Sequence, residues 1–293
     1  MMVVTIDHKS QQVGIVSIPR DLYVDIPGHG MDRINAADFV GTENKYPGGG
    51  PALAQRVVKD ALGIPTQNYV RIKQNGLVKL VDTLGGVTVT LECPLYERTP
   101  DDKSPTGYQD WSLPAGENFL DGASAKKFAT YRYLSSDFGR ARRQQLLIWA
   151  IRNRALQLDM IPRIPELWSA LSDTFETDIG LLDVIKLARL GVGLQSEQIH
   201  GLVLDQEVVQ NYTTPGGGAV LVIKDPDLLR KKLANLFGSK PISELGKAQG
   251  KCPPAPAPLP LLPSATPTST PPTGTPEITT TPTPEATAAP APG

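Results

Sequence analysis

The stretch SSDFGRARRQQLLIWAIRNRAL, residues 135–156, decides how the chain is read. Ser135, Ser136 and Asp137 mark a helix start, because short polar side chains accept hydrogen bonds from the free N–H groups of a first turn. From there Arg140, Gln144, Leu147, Ile151, Ala155 and Leu158 fall on one helical stripe. The apolar part of that stripe must face a core, so Arg140 and Gln144 point along the inward side, where a charge is unfavourable unless partnered. Arg140, Arg142 and Arg143 also crowd the end whose amide dipoles are already positive, each at a cost of about 0.3–1 kcal/mol. The pattern therefore demands negative charge from an internal carboxylate or from a bound anion.

Outward from this helix, strands and helices interleave. MMVVTID (1–7) and QVGIVSIP (12–19) read as adjacent strands of a hairpin around the turn-like HKSQ. GGGPALAQRVVKDALG (48–63) reads as a helix, with Pro51 in its first turn and Gly63 as its stop. YVRIK (69–73) and VTVTLE (87–92) read as strands, and NGLVKLVDTLGG (75–86) as a short helix ended by Gly85. Residues 95–118 are polar and turn-rich and are expected as a surface excursion. A helix follows in LDGASAKKFATYRY (120–133). Further helical segments lie at 165–173 and 181–192, strands at IHGLVL (199–204) and AVLVIK (219–224), and a last helix at DPDLLRKKLANLFG (225–238). This alternation predicts an α/β layered fold around a central mixed β-sheet.

Composition narrows the function. The formal charge is −1 over 293 residues, so no basic field points to nucleic acid. His8, His29 and His200 are scattered, with no metal-ligand spacing to each other or to cysteine, which argues against a zinc enzyme or a Ser-His-Asp hydrolase. Gly48–Gly50 lacks the Lys-Ser/Thr of a phosphate loop, and the Gly85-Gly86 pair reads as a tight turn. Cys93 and Cys252 stand far apart, the second in a segment of different composition, and are expected as two free thiols. No apolar run reaches the roughly 18 residues of a membrane span, and MMVVTID lacks the features of a signal peptide. Fourteen of the 28 prolines fall between Cys252 and Gly293, among Thr, Ala and Ser. Residues 1–240 are therefore expected as the folded domain and 241–293 as a disordered tail, either a plain spacer or an extracellular stalk.

Five blocks, SIPRD (17–21), RINAA (33–37), VDTLGGVTV (81–89), LDG (120–122) and SDFGRARRQQ (136–145), resemble in order and spacing the LytR-CpsA-Psr family. The resemblance implies an α/β/α-type fold outside the cytoplasmic membrane. It also implies transfer of glycopolymers from an undecaprenyl-pyrophosphate carrier to peptidoglycan, with Mg2+ at the pyrophosphate and a buried apolar channel for the polyprenyl chain. The expected partners are a polyprenyl-pyrophosphate-linked glycan, the peptidoglycan acceptor and the membrane surface. A pyrophosphate at the helix start would answer the arginine crowding, because free N–H groups, the dipole and bidentate guanidiniums all favour it there.

By that resemblance Arg20, Arg132 and Arg140 are the catalytic arginines, and Arg20, Arg132, Arg140, Arg143 and Gln144 bind pyrophosphate. Asp21, Asn35 and Asp137 support them. Local readings stand beside these roles: a surface ion pair for Arg20, a nearby carboxylate for Arg143, a turn for Asn35 and a helix cap for Asp137. Arg142 is expected to be solvated. Relatives carry an Arg-x-Arg pair before this loop; here Thr130 takes the first place, or Arg132 does and the second is missing, so one arginine is absent either way. Relatives also carry an Arg-x-Asp element just before the strand equivalent to MMVV, and its aspartate binds the cation. The expected metal ligand thus lies before Met1, the sequence reads as N-terminally truncated, and weak binding with poor turnover is expected. A non-catalytic polyprenyl-phosphate binding or scaffolding protein and a lipid-carrier pyrophosphatase are the alternatives.

Overall fold

The computed structural model of the protein describes residues 1–157, 162, 164–244 and 251–260. The elements run β1 (Met2–Asp7), β2 (Gln12–Ser17), β3 (Tyr23–Ile26), β4 (Gly30–Arg33), α1 (Ala36–Glu43), α2 (Gly49–Leu62), β5 (Val70–Ile72) and α3 (Gln74–Thr83). There follow β6 (Val87–Leu91), β7 (Leu95–Pro100), β8 (Tyr108–Leu113), β9 (Gly116–Leu120), α4 (Gly122–Thr130) and α5 (Asp137–Ala155). The chain continues through α6 (Ile164–Leu171), β10 (Phe175–Thr177), α7 (Leu181–Gly193), β11 (Ile199–Val203), β12 (Val209–Thr213), β13 (Ala219–Ile223) and α8 (Pro226–Ala234).

The centre is a three-stranded mixed sheet in the order β1-β2-β11, with β1 antiparallel and β11 parallel to β2. β2 is covered on both faces, which is why QVGIVS shows no polar alternation. On one face Val3 and Val16 pack with α1, α2 and α8 through Val40, Leu53, Val57 and Leu229. On the other, Val13, Ile15 and Ile199 meet Ile148 and Trp149 of α5. Helices on both faces make the α/β/α layering. A second core under the other flank of α5 joins Val87, Val89, Leu120, Phe128, Leu147 and Ala150. α5 therefore lies between two cores, and its sequence carries apolar residues on more than one side. Leu158, the last residue of the expected stripe, lies outside the described residues.

Gln145, fully buried, fastens α5 to the sheet. Its Nε2 donates to Ser17 Oγ at 2.7 Å, with the Ile15 and Leu202 carbonyls at 3.4 and 3.2 Å. Gly122 shows why LDG needs its glycine: a Cβ there would stand 2.4 Å from the Val78 carbonyl oxygen of α3.

Three expectations are corrected. Residues 95–118 are not a loose excursion, because Leu95–Pro100 pairs with Tyr108–Leu113 as a hairpin and β9 pairs with β6. The charges of Glu97 and Arg98 hid this strand; both side chains are buried because each has an ionic partner, Arg143 and Asp110. Cys93 and Cys252 are not free thiols but a disulfide. The composition around Cys252 is that of a tail, yet the chain returns to β7, where Arg98 Nη2 donates to the Ala257 carbonyl at 3.4 Å. The folded part also passes the expected boundary at 240: Pro241 bridges to His200, and Ile242 is fully buried against Val13 and Ile199. Of the expected 241–293 tail, residues 245–250 and 261–293 lie outside the described residues.

The disulfide closes a long loop, and such closure typically contributes about 2–4 kcal/mol. Reduction, or Cys252→Ser, is expected to lower the midpoint of thermal unfolding by roughly 5–10 °C. Thiol titration before reduction should find none free, and an unchanged midpoint after reduction would show that the bond does not carry this stability.

Candidate functional site

A cleft of about 320 Å3 opens where the exit of β2, the end of α4 and the first turns of α5 converge. Ser17, Ile18, Pro19 and Arg20 form one wall, Ala129, Thr130 and Arg132 a second, and Asp137, Phe138, Arg140, Ala141 and Gln144 the third. Met1 and Val203 complete it. Sequence reasoning placed Arg20, Arg132, Arg140, Gln144 and Asp137 in the site, and the fold brings these five together. The apolar floor of Ile18, Phe138, Ala141 and Val203 carried no signal in the sequence beyond ordinary core residues. A larger open depression along α3, lined by Asn75, Val78, Lys79, Asp82 and Thr83, offers one cation, and Lys79 is paired with Asp173.

The helix cap belongs to Ser136, not to Asp137: Ser136 Oγ accepts from the Gly139 N–H at 3.1 Å. Asp137 is thereby left to receive cations. Its Oδ1 lies 3.2 Å from Arg132 Nη1 and 3.1 Å from Arg140 Nη2. Arg20 contacts Asp21 Oδ2 at 3.2 Å, and Asp21 also pairs with Arg33 at 3.3 Å. Three arginines thus line the cleft with the carboxylate of Asp137, and with Asp21 and the Arg33 that shares it counted, four guanidiniums stand against two carboxylates, an excess of two positive charges. Burial presses the pKa of Arg140 below its usual value; Asp137 opposes that, while the like charges of Arg20 and Arg132 add to it. Gln144 donates its Nε2 to the Ala129 carbonyl at 3.0 Å, which fixes its orientation at the wall.

Arg143 does not face the cleft. Its Nε donates to the Phe128 carbonyl at 2.8 Å, Nη1 to Ser135 Oγ at 2.8 Å, and Nη2 to the Tyr131 carbonyl. Nη1 also lies 3.2 Å from Glu97 Oε1. Burial holds its pKa below the usual value and Glu97 opposes that shift; of the two readings of Arg143 the internal carboxylate is the one realised. Glu97, missed in the sequence, holds the arginine loop as well: its two oxygens accept from the Leu134 N–H at 3.1 Å and from the Ser135 hydroxyl. Arg142 is not simply solvated but pairs with Asp205 at 3.2 Å. Asn35 sits exposed in a turn, its N–H donating to the Arg20 carbonyl at 3.3 Å.

Among the described residues no three His, Cys, Asp or Glu side chains gather as a metal site. Asp21 and Asp137 are each engaged by two arginines. The residues present therefore do not by themselves fit Mg2+. No helix among them is long and apolar enough to cross a membrane.

Comparison with known proteins agrees with this architecture. The model of the LytR_cpsA_psr family matches residues 1–229, and the chain belongs to that family. TagU of Enterococcus faecalis, a polyisoprenyl-teichoic acid–peptidoglycan teichoic acid transferase, is 34% identical over 215 residues, 71% of this chain and 65% of that protein. The crystal structure of Bacillus subtilis TagV superposes with a TM-score of 0.63 at 25% identity, covering 82% of this chain and 89% of that one. TagT bound to LI-WTA gives a TM-score of 0.61 at 25% identity, covering 81% and 83%. The chain spans about half to two thirds of the length of the curated relatives it matches.

Removing one partner of a buried ion pair leaves the other uncompensated, at about 3–5 kcal/mol. Glu97→Gln is expected to lose that much in urea unfolding. Adding Arg143→Gln should cost less than the two single changes combined. Strict additivity would show that the two side chains do not act as a pair.

Proposed function

We propose that the cleft binds the diphosphate of a polyprenyl-pyrophosphate-linked glycan, and that the protein transfers the glycan to peptidoglycan. The observation that carries this reading is the excess of two positive charges among Arg20, Arg33, Arg132, Arg140, Asp21 and Asp137. Guanidiniums held this close repel one another, and a diphosphate relieves that repulsion with planar, paired hydrogen bonds. The first turn of α5 forms one wall, and an anion there also meets the positive end of the helix dipole. The relatives' names as teichoic acid transferases point to the same chemistry.

In the reaction an acceptor hydroxyl oxygen bonds to the glycan-side phosphorus and yields its proton to water, while the bridging bond to the lipid-side phosphate breaks. Negative charge grows on the departing phosphate. Arg140, the most buried arginine of the cleft, stands in the least hydrated position of the three to stabilise it, and Arg20 and Arg132 spread it further. These arginines are fixed before substrate arrives by Asp21 and Asp137, so little reorganisation is needed. Mg2+ would supply further charge neutralisation, but the described residues do not by themselves hold it.

The engagement of both nearby carboxylates by arginine favours a second reading, binding of the lipid phosphate without turnover, since neither is free to take the acceptor proton. The Cys93–Cys252 disulfide supports an oxidising, extracytoplasmic setting, where the membrane-borne donor and the peptidoglycan acceptor would both be within reach.

Calorimetry with a short-chain polyprenyl pyrophosphate is expected to show saturable binding that weakens about 10- to 100-fold in Arg140→Ala and falls with added salt. Unchanged affinity in that variant would overturn the reading. Transfer to peptidoglycan, measured alongside, separates the enzyme from the binding protein.

A further inference from the structure

Next in the chain to Arg132, which lines the cleft, begins a group of side chains that the diphosphate reading leaves unused. Tyr133 follows Arg132 directly, and it is 53% exposed despite its size. Its ring lies 5.0 Å from that of Tyr108, tilted by 51°, and its hydroxyl donates to the Tyr108 hydroxyl at 2.9 Å. On β8 Tyr108 and Asp110 are two residues apart, so both project from the same face of the hairpin, about 7 Å from one another along the strand. The register pairs Asp110 with Arg98. Arg98 is buried and grips Asp110 with two nitrogens, Nη2 at 3.1 Å, while the Asp110 side chain remains 65% exposed.

This juxtaposition is an exposed aromatic surface flanked by a clamped, exposed carboxylate. A pyranose ring presents complementary chemistry: one face of C–H groups that stacks on an aromatic ring, and a rim of hydroxyls that donate to a fixed acceptor. Tyrosine supplies such a face with few rotatable bonds, and the Arg98 clamp removes the ordering cost of the carboxylate. The position also matches. A sugar joined to a diphosphate held by Arg132 begins within one ring of that arginine, and Tyr133 is the next residue. Resting on the diphosphate reading for its biological setting, we propose that Tyr133, Tyr108 and Asp110 form a saccharide subsite that holds a pyranose ring of the glycan. The ring belongs either to the donor, linked to diphosphate, or to the acceptor, free of it.

The test titrates the full chain with two soluble probes, UDP-N-acetylglucosamine as a sugar diphosphate and tri-N-acetylchitotriose as a free glycan. Tyr133→Ala is expected to weaken binding of at least one probe about tenfold, while Tyr133→Phe, which keeps the ring, stays within about twofold. Asp110→Ala should weaken the same probe, with the thermal midpoint reporting that each variant is folded. A donor subsite shows UDP-N-acetylglucosamine affinity that falls in both Tyr133→Ala and Arg140→Ala. An acceptor subsite shows chitotriose affinity that depends on Tyr133 and not on Arg140. If sugar-diphosphate binding falls in Arg140→Ala alone and chitotriose does not bind, the subsite is overturned and the diphosphate site stands. If it falls with Tyr133 alone, the subsite stands and the diphosphate site is overturned. Failure of the folded wild-type protein to bind either probe, or an equal loss in Tyr133→Phe, also overturns the subsite.

Discussion

Glu97 lies fully buried in β7, and its carboxylate gathers Arg143 from α5 together with the Leu134 amide and the Ser135 hydroxyl. Arg143 spends its remaining donors on the Phe128 and Tyr131 carbonyls at the end of α4. One ion pair thus joins the hairpin, the end of α4, the connecting loop and α5. Burying two charges is unfavourable unless the remaining donors and acceptors are met, and here they are met by the backbone of the loop that must be ordered. Arg132 projects from that loop into the cleft, so the shape of the anion site depends on a contact that does not itself face the anion.

The arginines at the start of α5 then become intelligible as a set. Residues on a helix advance by 100° each, so neighbours in sequence diverge in space. Arg142 turns to Asp205 beyond β11, Arg143 turns to Glu97 on β7, and Arg140 turns to Asp137 one turn earlier on its own helix. Only the last carboxylate is shared, with Arg132. The crowding at the positive end of the helix is therefore resolved twice by dedicated carboxylates and once incompletely, and the incomplete case opens onto the cleft.

Much of this frame is visible in the sequence. The β1–β2 hairpin, α2 with its glycine stop and the inward stripe of α5 follow from periodicity and turn chemistry, which are local. What escaped was decided by distant partners. Glu97 and Arg98 made β7 look like surface, because nothing nearby in the chain announces Arg143 or reveals that Asp110 lies across the hairpin. Cys252 sits among prolines and alanines whose composition describes only their immediate surroundings. The cap at Ser136 rather than Asp137 was a choice between adjacent residues that both satisfy the rule, and tertiary demand for the aspartate settled it. The site arginines fared better because charge at the wrong end of a helix is a local anomaly with few remedies.

The Cys93–Cys252 bond also determines how the protein would carry tension. A pull on the two ends of the chain passes along covalent bonds from residue 1 to Cys93, crosses the sulfur bridge, and continues from Cys252 into the proline-rich segment. Residues 94–251, which include α5, the arginine loop and the Glu97–Arg143 pair, hang outside this load path. A tail under mechanical strain would thus tug at the root of β7 and at the leading strands, while the covalent load bypasses the helix that bears Arg140 for as long as the bridge holds.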